Sequence, residues 1–185
     1  MTYPELKVYI AGSWRTQSNG GYQDVRNPVD ESVLAQLPLV DVAELEQAAT
    51  AAQDGFKLWS RKTALERCNV LRKAAQNLRQ RAPEIAHIIT LEQGKLLSEA
   101  LREVNLSADI IDFQAEEAKR LYGRTVPVRV AGILSHQVIR QAIGVVAAFT
   151  AWNFPVNLPS RKIASALAAG DRKSTRLNSS HDQRS

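Results

Sequence analysis

The stretch GVVAAFTAWNFPVNLPSRKIASALAAG, residues 144–170, decides the fold class of this chain. It begins with a wholly apolar run, residues 144–149, which is typical of a strand buried on both faces of a parallel sheet. Pro155 then ends strand pairing because it has no backbone N–H. Residues 156–169 have helical periodicity and are followed by Gly170, a typical helix-ending residue. Strand, irregular turn and helix in this order predict an α/β fold, which binds ligands at the carboxyl ends of its strands.

Four helices are predicted upstream of this unit, beginning near Asp41, Thr63, Pro83 and Ser98. The first two starts are capping boxes, with Glu44 and Glu66 three positions after the capping residue. The fourth helix is expected to end near Gly123, and its apolar set is Leu101, Val104, Leu106, Ile110 and Phe113. Cys68 lies on the apolar face of the second helix, so we expect a packed side chain and not a reactive thiol.

Short strands are predicted on either side of the helices. Residues 7–14 indicate a hairpin with its turn at Ala11-Gly12, and residues 23–37 indicate short strands broken by a turn. A second hairpin is predicted at residues 124–141. By contrast, residues 171–185 are rich in Ser and Arg, have no periodicity and are expected to supply no strand. We interpret them as a disordered or foreign segment, with an ordinary polar tail as the alternative.

Composition excludes several classes of protein. The 185 residues are 44% hydrophobic and 23% charged, which is ordinary globular usage. The single cysteine predicts no intrachain disulfide, and no run is long and apolar enough to span a membrane, so we expect a cytoplasmic protein. The net charge of +5 is interspersed and partly due to residues 171–185, which argues against nucleic-acid binding. The three histidines lack ligand partners at metal spacing, so no metal site is expected.

Asn153 is the first candidate for chemistry, because it presents an amide where the apolar strand ends. A fixed N–H donor at such a place can stabilise a developing oxyanion. The alternative is that Asn153 caps the following helix. From the spacing alone, the cap is favoured.

The segment around Trp152-Asn153-Phe154-Pro155 resembles the aldehyde dehydrogenase superfamily, whose core motif Pro-Trp-Asn-Phe-Pro precedes a helix with a basic residue and Ala-Leu-Ala-Ala-Gly. Ala151 stands where the family usually has proline. Three further blocks resemble the family in order, namely YIAGSW (9–14), LEQGK (91–95) and DFQAEEAKRLYGRTVP (112–127). The resemblance therefore covers residues 7–170.

The resemblance implies an N-terminal portion of the aldehyde dehydrogenase fold, with an incomplete Rossmann-like cofactor domain. It divides the chain into an N-terminal hairpin and helical part (1–123), an oligomerisation hairpin (124–141), the start of the Rossmann-like unit (142–170) and the segment 171–185. A homo-oligomer is expected for the intact protein, through pairing of the hairpin across subunits.

The resemblance also implies roles for individual residues. Asn153 matches the asparagine whose amide holds the oxygen of a tetrahedral thiohemiacetal. The strand exit matches the groove that binds NAD or NADP, through Phe149, Thr150, Ala151 and Trp152. Lys162 matches a basic residue near the catalytic site, and the alternative for it is a surface lysine.

Arg161 is the residue that bears most on substrate. In succinate-semialdehyde and 2-oxoglutarate-semialdehyde dehydrogenases, which this chain resembles, an arginine at this place binds the distal carboxylate with two parallel N–H bonds. Phe154 and Asn157 are the other expected substrate contacts, Asn157 lying one turn before Arg161 in the same pocket. The alternative, a surface arginine on an amphipathic helix, is given equal weight.

The family mechanism uses a cysteine thiolate and a glutamate that activates water. Neither has a match in this chain, so we expect a truncated member that is inactive alone in NAD(P)-dependent oxidation of an aldehyde to a carboxylic acid. A non-catalytic fragment that associates with intact subunits and a CoA-acylating semialdehyde dehydrogenase are the alternatives. The expected partners are a small aldehyde and further copies of the chain, with no nucleic acid, membrane or metal.

Overall fold

The computed structural model describes residues 3–175, with side chains described as far as Asp171. The helices of this part are α1 (Val42–Trp59), α2 (Ala64–Gln80), α3 (Ala82–Gln93), α4 (Leu97–Glu117) and α5 (Asn157–Ala169). The strands are β1 (Val8–Ile10), β2 (Ser13–Arg15), β3 (Tyr22–Arg26), β4 (Val33–Pro38), β5 (Arg124–Val126), β6 (His136–Val138), β7 (Val145–Ala148) and β8 (Arg172–Thr175). The mixture of helix and strand confirms the α/β class.

The predicted hairpins are present. β1 and β2 pair antiparallel, and Ala11 and Gly12 between them both have positive φ, as a tight hairpin turn requires. β3 pairs antiparallel with β4. β5 pairs with β6, with Arg124 opposite Val138, so the hairpin predicted at residues 124–141 is also confirmed. Its strands are shorter than predicted. No helix in the described part of the chain is long and apolar enough to cross a bilayer.

The helix starts agree with the sequence analysis. Both capping boxes form. The side chains of Asp41 and Thr63 accept from the backbone N–H three residues later, and the carboxylates of Glu44 and Glu66 accept from the backbone N–H of the capping residues. α3 ends at Gly94, which adopts the left-handed conformation. Local chemistry therefore fixes these boundaries without help from the rest of the fold.

The buried face of α4 differs from the prediction. Val104 is fully buried, but Leu101, Leu106 and Phe113 are exposed. The face that packs consists mainly of small residues, namely Ala100, Glu103, Val104, Ser107, Ala108 and Ala115. α2, α3 and α5 all contact α4, and small side chains allow this close approach. The helix also ends at Glu117, followed by a 3-10 turn to Arg120, and not at Gly123.

α5 is the element that carries the candidate site, and two apolar clusters fix it on α4. One cluster joins α2, α4 and α5 through Cys68, Leu71, Ala115, Ala118, Ala164 and Ala168. The other joins α3 and α4, with Val156 packed against it. At the far end of α5, Trp59 Nε1 donates to the carbonyl of Leu167 (2.9 Å) and Arg67 Nε to that of Ala168 (3.1 Å). These donors satisfy carbonyls that a helix end leaves unpaired.

The chain after Gly170 departs from the prediction. Residues 172–175 form β8, which pairs parallel with β7, so the expectation of no strand in this segment is wrong there. The physical reason is Asp171, a buried residue whose Oδ1 accepts from the N–H groups of Ile143 (2.6 Å) and Gly144 (3.1 Å) and so places the two strand starts side by side. Residues 176–185 of the predicted segment lie outside the described residues.

The prediction that β7 is buried on both faces is also wrong. Ala148 is buried, but Val145 and Ala147 are exposed. Val145 and Ala147 share one face of β7 and Val146 and Ala148 share the other, so only one face of the apolar run is covered within the described residues.

Val104→Ala tests the revised packing of α4. It removes two carbons from a fully buried position, and we expect the free energy of unfolding to fall by roughly 2 kcal/mol. Leu106→Ala, on the exposed side of the same helix, serves as the control and is expected to change it by less than about 0.5 kcal/mol. Urea unfolding followed by circular dichroism measures both. A larger loss for Leu106→Ala than for Val104→Ala would contradict the packing.

Candidate functional site

The candidate site is the connection between β7 and α5, residues 149–156, at the carboxyl end of the strand. Phe149, Trp152 and Phe154 are each about half-exposed there, Thr150 is partly buried and Ala151 is exposed. Aromatic side chains left open at the end of a parallel strand are a surface to which a planar ligand can bind.

Lys162 links the helix back to the strand exit, because its Nζ donates to the carbonyl of Phe149. The lysine lies on α5, two turns after Phe154. The Lys162 side chain is itself exposed, so it is a surface lysine whose ammonium group contacts the end of β7.

Asn153 is held through its main chain. Its carbonyl accepts from Lys95 Nζ (3.0 Å), and the carbonyl of Trp152 accepts from Gln93 Nε2. The side chain of Asn153 is exposed, and its amide has no hydrogen-bond partner among the residues that the structure describes. α5 has Val156 as its N-cap and no side-chain cap bond, so the cap interpretation of Asn153 is wrong.

Lys95 has two further partners. Its Nζ lies 2.6 Å from Glu103 Oε2, with 15% and 2% of the two side chains exposed. It also lies 4.3 Å from the centroid of the Phe154 ring, within the range of a cation–π interaction. One ammonium group thus connects α4, the carbonyl of Asn153 and the ring of the next residue.

Glu103 completes the arrangement from α4. Its Oε1 accepts from the backbone N–H of Val156 (3.0 Å) and of Asn157 (3.2 Å) at the start of α5. Sequence reasoning missed this residue. A signal existed, because Glu103 interrupts an apolar helix face beside Val104 and one turn before Ser107, and a buried carboxylate needs partners.

Arg161 and Asn157 do not share a pocket. Arg161 is exposed and lines a groove of about 390 Å³ with Asp109, Ile110, Phe113 and Gln114. Asn157 is buried and does not line the groove, because its short side chain ends inside the packed interface, where Nδ2 has no partner among the described residues.

The groove is lined by one cation, Arg161, and by one carboxylate, Asp109. Asp109 pairs with Arg79 (2.6 Å), which also pairs with Asp112 (2.7 Å). Within the described chain, no carboxylate lies within ion-pair distance of Arg161. A guanidinium without an ion-pair partner, next to Ile110 and Phe113, is suited to an anion on an otherwise apolar molecule.

Cys68 is packed, as predicted, with 1% of its surface exposed. Burial, and then a hydrogen bond to Glu116 Oε1 (Sγ to oxygen 3.6 Å), raise the pKa of its thiol. Such a thiol is a poor nucleophile. In the part of the chain that the structure describes, no three His, Cys, Asp or Glu residues are grouped to hold a metal ion.

Comparison with known proteins gives a consistent result. The model of the aldehyde dehydrogenase family matches residues 14–172. The chain is 41% identical over 167 residues to 4-(hydroxymethyl)benzenesulfonate dehydrogenase TsaD1 of Comamonas testosteroni, covering 90% of this chain and 34% of that protein. It is 40% identical over 170 residues to succinate-semialdehyde dehydrogenase [NADP(+)] GabD of Escherichia coli K12, covering 89% and 34%.

Solved structures agree. The aldehyde dehydrogenase of Brucella melitensis biovar abortus 2308 is similar with a TM-score of 0.88 and 42% identity, over 92% of this chain and 35% of that one. PnpE in complex with nicotinamide adenine dinucleotide is similar with a TM-score of 0.88 and 30% identity, over 93% and 35%. The chain thus spans about a third of the length of the relatives that it matches.

The burial of Cys68 has a direct chemical consequence. In the native chain at pH 8 we expect its thiol to react with 5,5′-dithiobis(2-nitrobenzoate) far more slowly than glutathione does, because it is inaccessible and its pKa is raised. In urea, one equivalent should react rapidly. Fast stoichiometric labelling of the folded protein would contradict both the packing and the assignment of Cys68 as an inert residue.

Proposed function

The chain belongs to the aldehyde dehydrogenase family, and from this membership we propose that it acts in the NAD(P)-dependent oxidation of an aldehyde that carries an anionic group at its far end. The observation that carries the proposal is the Asn153 amide, exposed at the carboxyl end of β7 on a main chain that other residues hold. The product is the corresponding carboxylic acid.

Asn153 supplies the electrostatic part of this chemistry. When a sulfur nucleophile adds to the aldehyde carbon, the carbonyl oxygen becomes an oxyanion, and Asn153 Nδ2 donates a hydrogen bond to it. Such a donor contributes roughly 3–4 kcal/mol to the transition state. Because Cys68 is buried in the cluster between α2, α4 and α5, it is not this nucleophile.

The strand exit provides the residues for the nicotinamide cofactor. Phe149, Thr150, Ala151 and Trp152 would hold NAD or NADP, and the half-exposed aromatic side chains fit a planar ring. When bound, NAD or NADP would supply the hydride acceptor for this oxidation. The bond from Lys162 to the carbonyl of Phe149 orients the end of β7 toward this groove.

Arg161 selects the substrate. Its guanidinium can form two parallel N–H bonds with a carboxylate or with a sulfonate, while Ile110 and Phe113 contact the body of the molecule. The names of TsaD1 and GabD state a sulfonated and a carboxylated substrate, which supports an anionic group as the shared feature. Phe154, half-exposed next to Asn153, would contact the same molecule. Asn157 is buried and is not part of this contact.

A hybrid enzyme tests the function and the role of Arg161. Residues 14–171 of this chain replace the matching segment of E. coli succinate-semialdehyde dehydrogenase, which supplies the nucleophile. We expect the hybrid to oxidise succinate semialdehyde, and Arg161→Met to lower its kcat/KM about 10- to 100-fold by removing a charge-assisted contact. With butanal, which lacks the carboxylate, kcat/KM should change little. Formation of NAD(P)H is followed at 340 nm.

The controls separate folding from recognition. Arg72→Met, at an exposed arginine of α2, should leave kcat/KM unchanged for both aldehydes. The 185-residue chain alone should form no NAD(P)H and provides the blank. A soluble hybrid without turnover contradicts the proposed function, and equal losses for both aldehydes on Arg161→Met contradict anion recognition.

We propose in addition that β5 and β6 mediate association with further copies of the chain. Leu134 between these strands is fully exposed, and Ile133 and Ile139 are more than half-exposed. A short two-stranded sheet also leaves edges that can pair with another chain.

Co-purification of two differently tagged copies tests this association. We expect the tagged copies to associate and Leu134→Glu to abolish the association, because it places a charge in the proposed contact. Leu58→Glu, at another exposed leucine, on α1, should have no effect. If Leu134→Glu copies still co-purify, the hairpin is not the interface.

A further inference from the structure

Three polar side chains surround the main chain at Asn153, and we refer to Gln93, Lys95 and Glu103 as the clamp. Gln93 and Lys95 flank Gly94 at the end of α3 and donate to the consecutive carbonyls of Trp152 and Asn153. Glu103, on α4, accepts from the N–H groups of Val156 and Asn157. The clamp therefore binds the chain on both sides of the Asn153 side chain.

The ion pair inside the clamp is unusual for its location. Glu103 lies on the face of α4 that is otherwise lined by alanines, Val104 and Ser107, and its carboxylate is almost completely buried. Burying a carboxylate and an ammonium group costs free energy that their attraction often fails to recover, so an apolar pair could serve stability as well. Instead, the ammonium group of Lys95 donates to the carbonyl of Asn153, and the carboxylate of Glu103 accepts from two N–H groups at the N-terminus of α5.

The clamp occupies the polar main-chain groups around the site and leaves the side chain of Asn153 unengaged. Two carbonyls before Phe154 and two N–H groups after it have partners. Lys95 also contacts the ring of Phe154. With the backbone fixed, the direction of the Asn153 amide depends only on its own two side-chain torsions.

We propose that the Lys95–Glu103 ion pair is a positioning element that fixes the main chain from which Asn153 presents its amide. The pair does not touch the substrate. Its role as preparation for an oxyanion rests on the proposed function, because preorganised donors stabilise a transition state without reorganising during the reaction. The ion pair orders the main chain at Asn153 more than it stabilises the fold.

Nuclear magnetic resonance on the 185-residue chain measures the ordering directly. In the parent, we expect a slowly exchanging Lys95 ammonium signal, protected amides at Val156 and Asn157, and a high backbone order parameter at Asn153. Lys95→Met should abolish the ammonium signal, raise exchange at both amides at least tenfold and lower the order parameter of Asn153. Lys95→Arg, which keeps a cationic donor, should restore most of the ordering.

Two further variants distinguish a loss of order at Asn153 from a failure to fold. Lys95→Met with Glu103→Gln removes both charges but keeps an acceptor for the two amides, so no unpaired charge is buried. We expect it to fold with a thermal midpoint close to that of the parent and still to lose the order at Asn153. Lys57→Met breaks an exposed ion pair with Asp54 and should leave the Asn153 signals unchanged. Unchanged order in the double variant overturns the proposal.

The hybrid enzyme adds a catalytic measurement. Lys95→Met should lower kcat about 10- to 100-fold, as a displaced catalytic group does, with less than about a twofold change in KM. An unchanged kcat overturns the positioning role. The magnetic resonance experiment does not require turnover, so a hybrid that is inactive before any substitution contradicts the proposed function while the ordering of Asn153 is still decided on the chain itself.

Discussion

The buried carboxylate of Glu103 is the constraint on which the arrangement of the site depends. A carboxylate at this depth must find donors, and it finds them in the α3–α4 turn and at the start of α5. Its negative charge also lies at the N-terminal end of α5, where the helix dipole favours it. Three separate segments are thereby fixed relative to one another through one side chain.

The opposite end of α5 is fixed by a complementary set of contacts. Trp59 and Arg67 donate to the last carbonyls of the helix, and Asp171, directly after it, accepts from the start of β7. The helix is thus held by an acceptor at its N-terminus and by donors at its C-terminus. The strand, turn and helix unit keeps its geometry because both ends of α5 are anchored to other elements.

What the sequence predicted and what it missed divide along the range of the interactions. Capping boxes at Asp41 and Thr63, and the left-handed Gly94, act within a few residues, so helix boundaries followed from local chemistry. The backbone partners of Glu103, Val156 and Asn157, lie 53 and 54 residues away, and periodicity contains no information about them. β8 was missed for a related reason: parallel pairing uses backbone groups, and the polar residues 172–175 gave no strand pattern.

Two of the four sequence blocks that carry the family resemblance prove to be one physical unit. LEQGK (91–95) supplies Gln93 and Lys95, which bind the carbonyls of the Trp152-Asn153 pair 58 and 59 residues later. The first block supplies the donors, and the second block supplies the carbonyls that accept from them. Ala151 stands where the family usually has proline. Proline would restrict the backbone at that position, and alanine does not. In this chain the main chain at Trp152 and Asn153 is instead held by the bonds that Gln93 and Lys95 donate to its carbonyls.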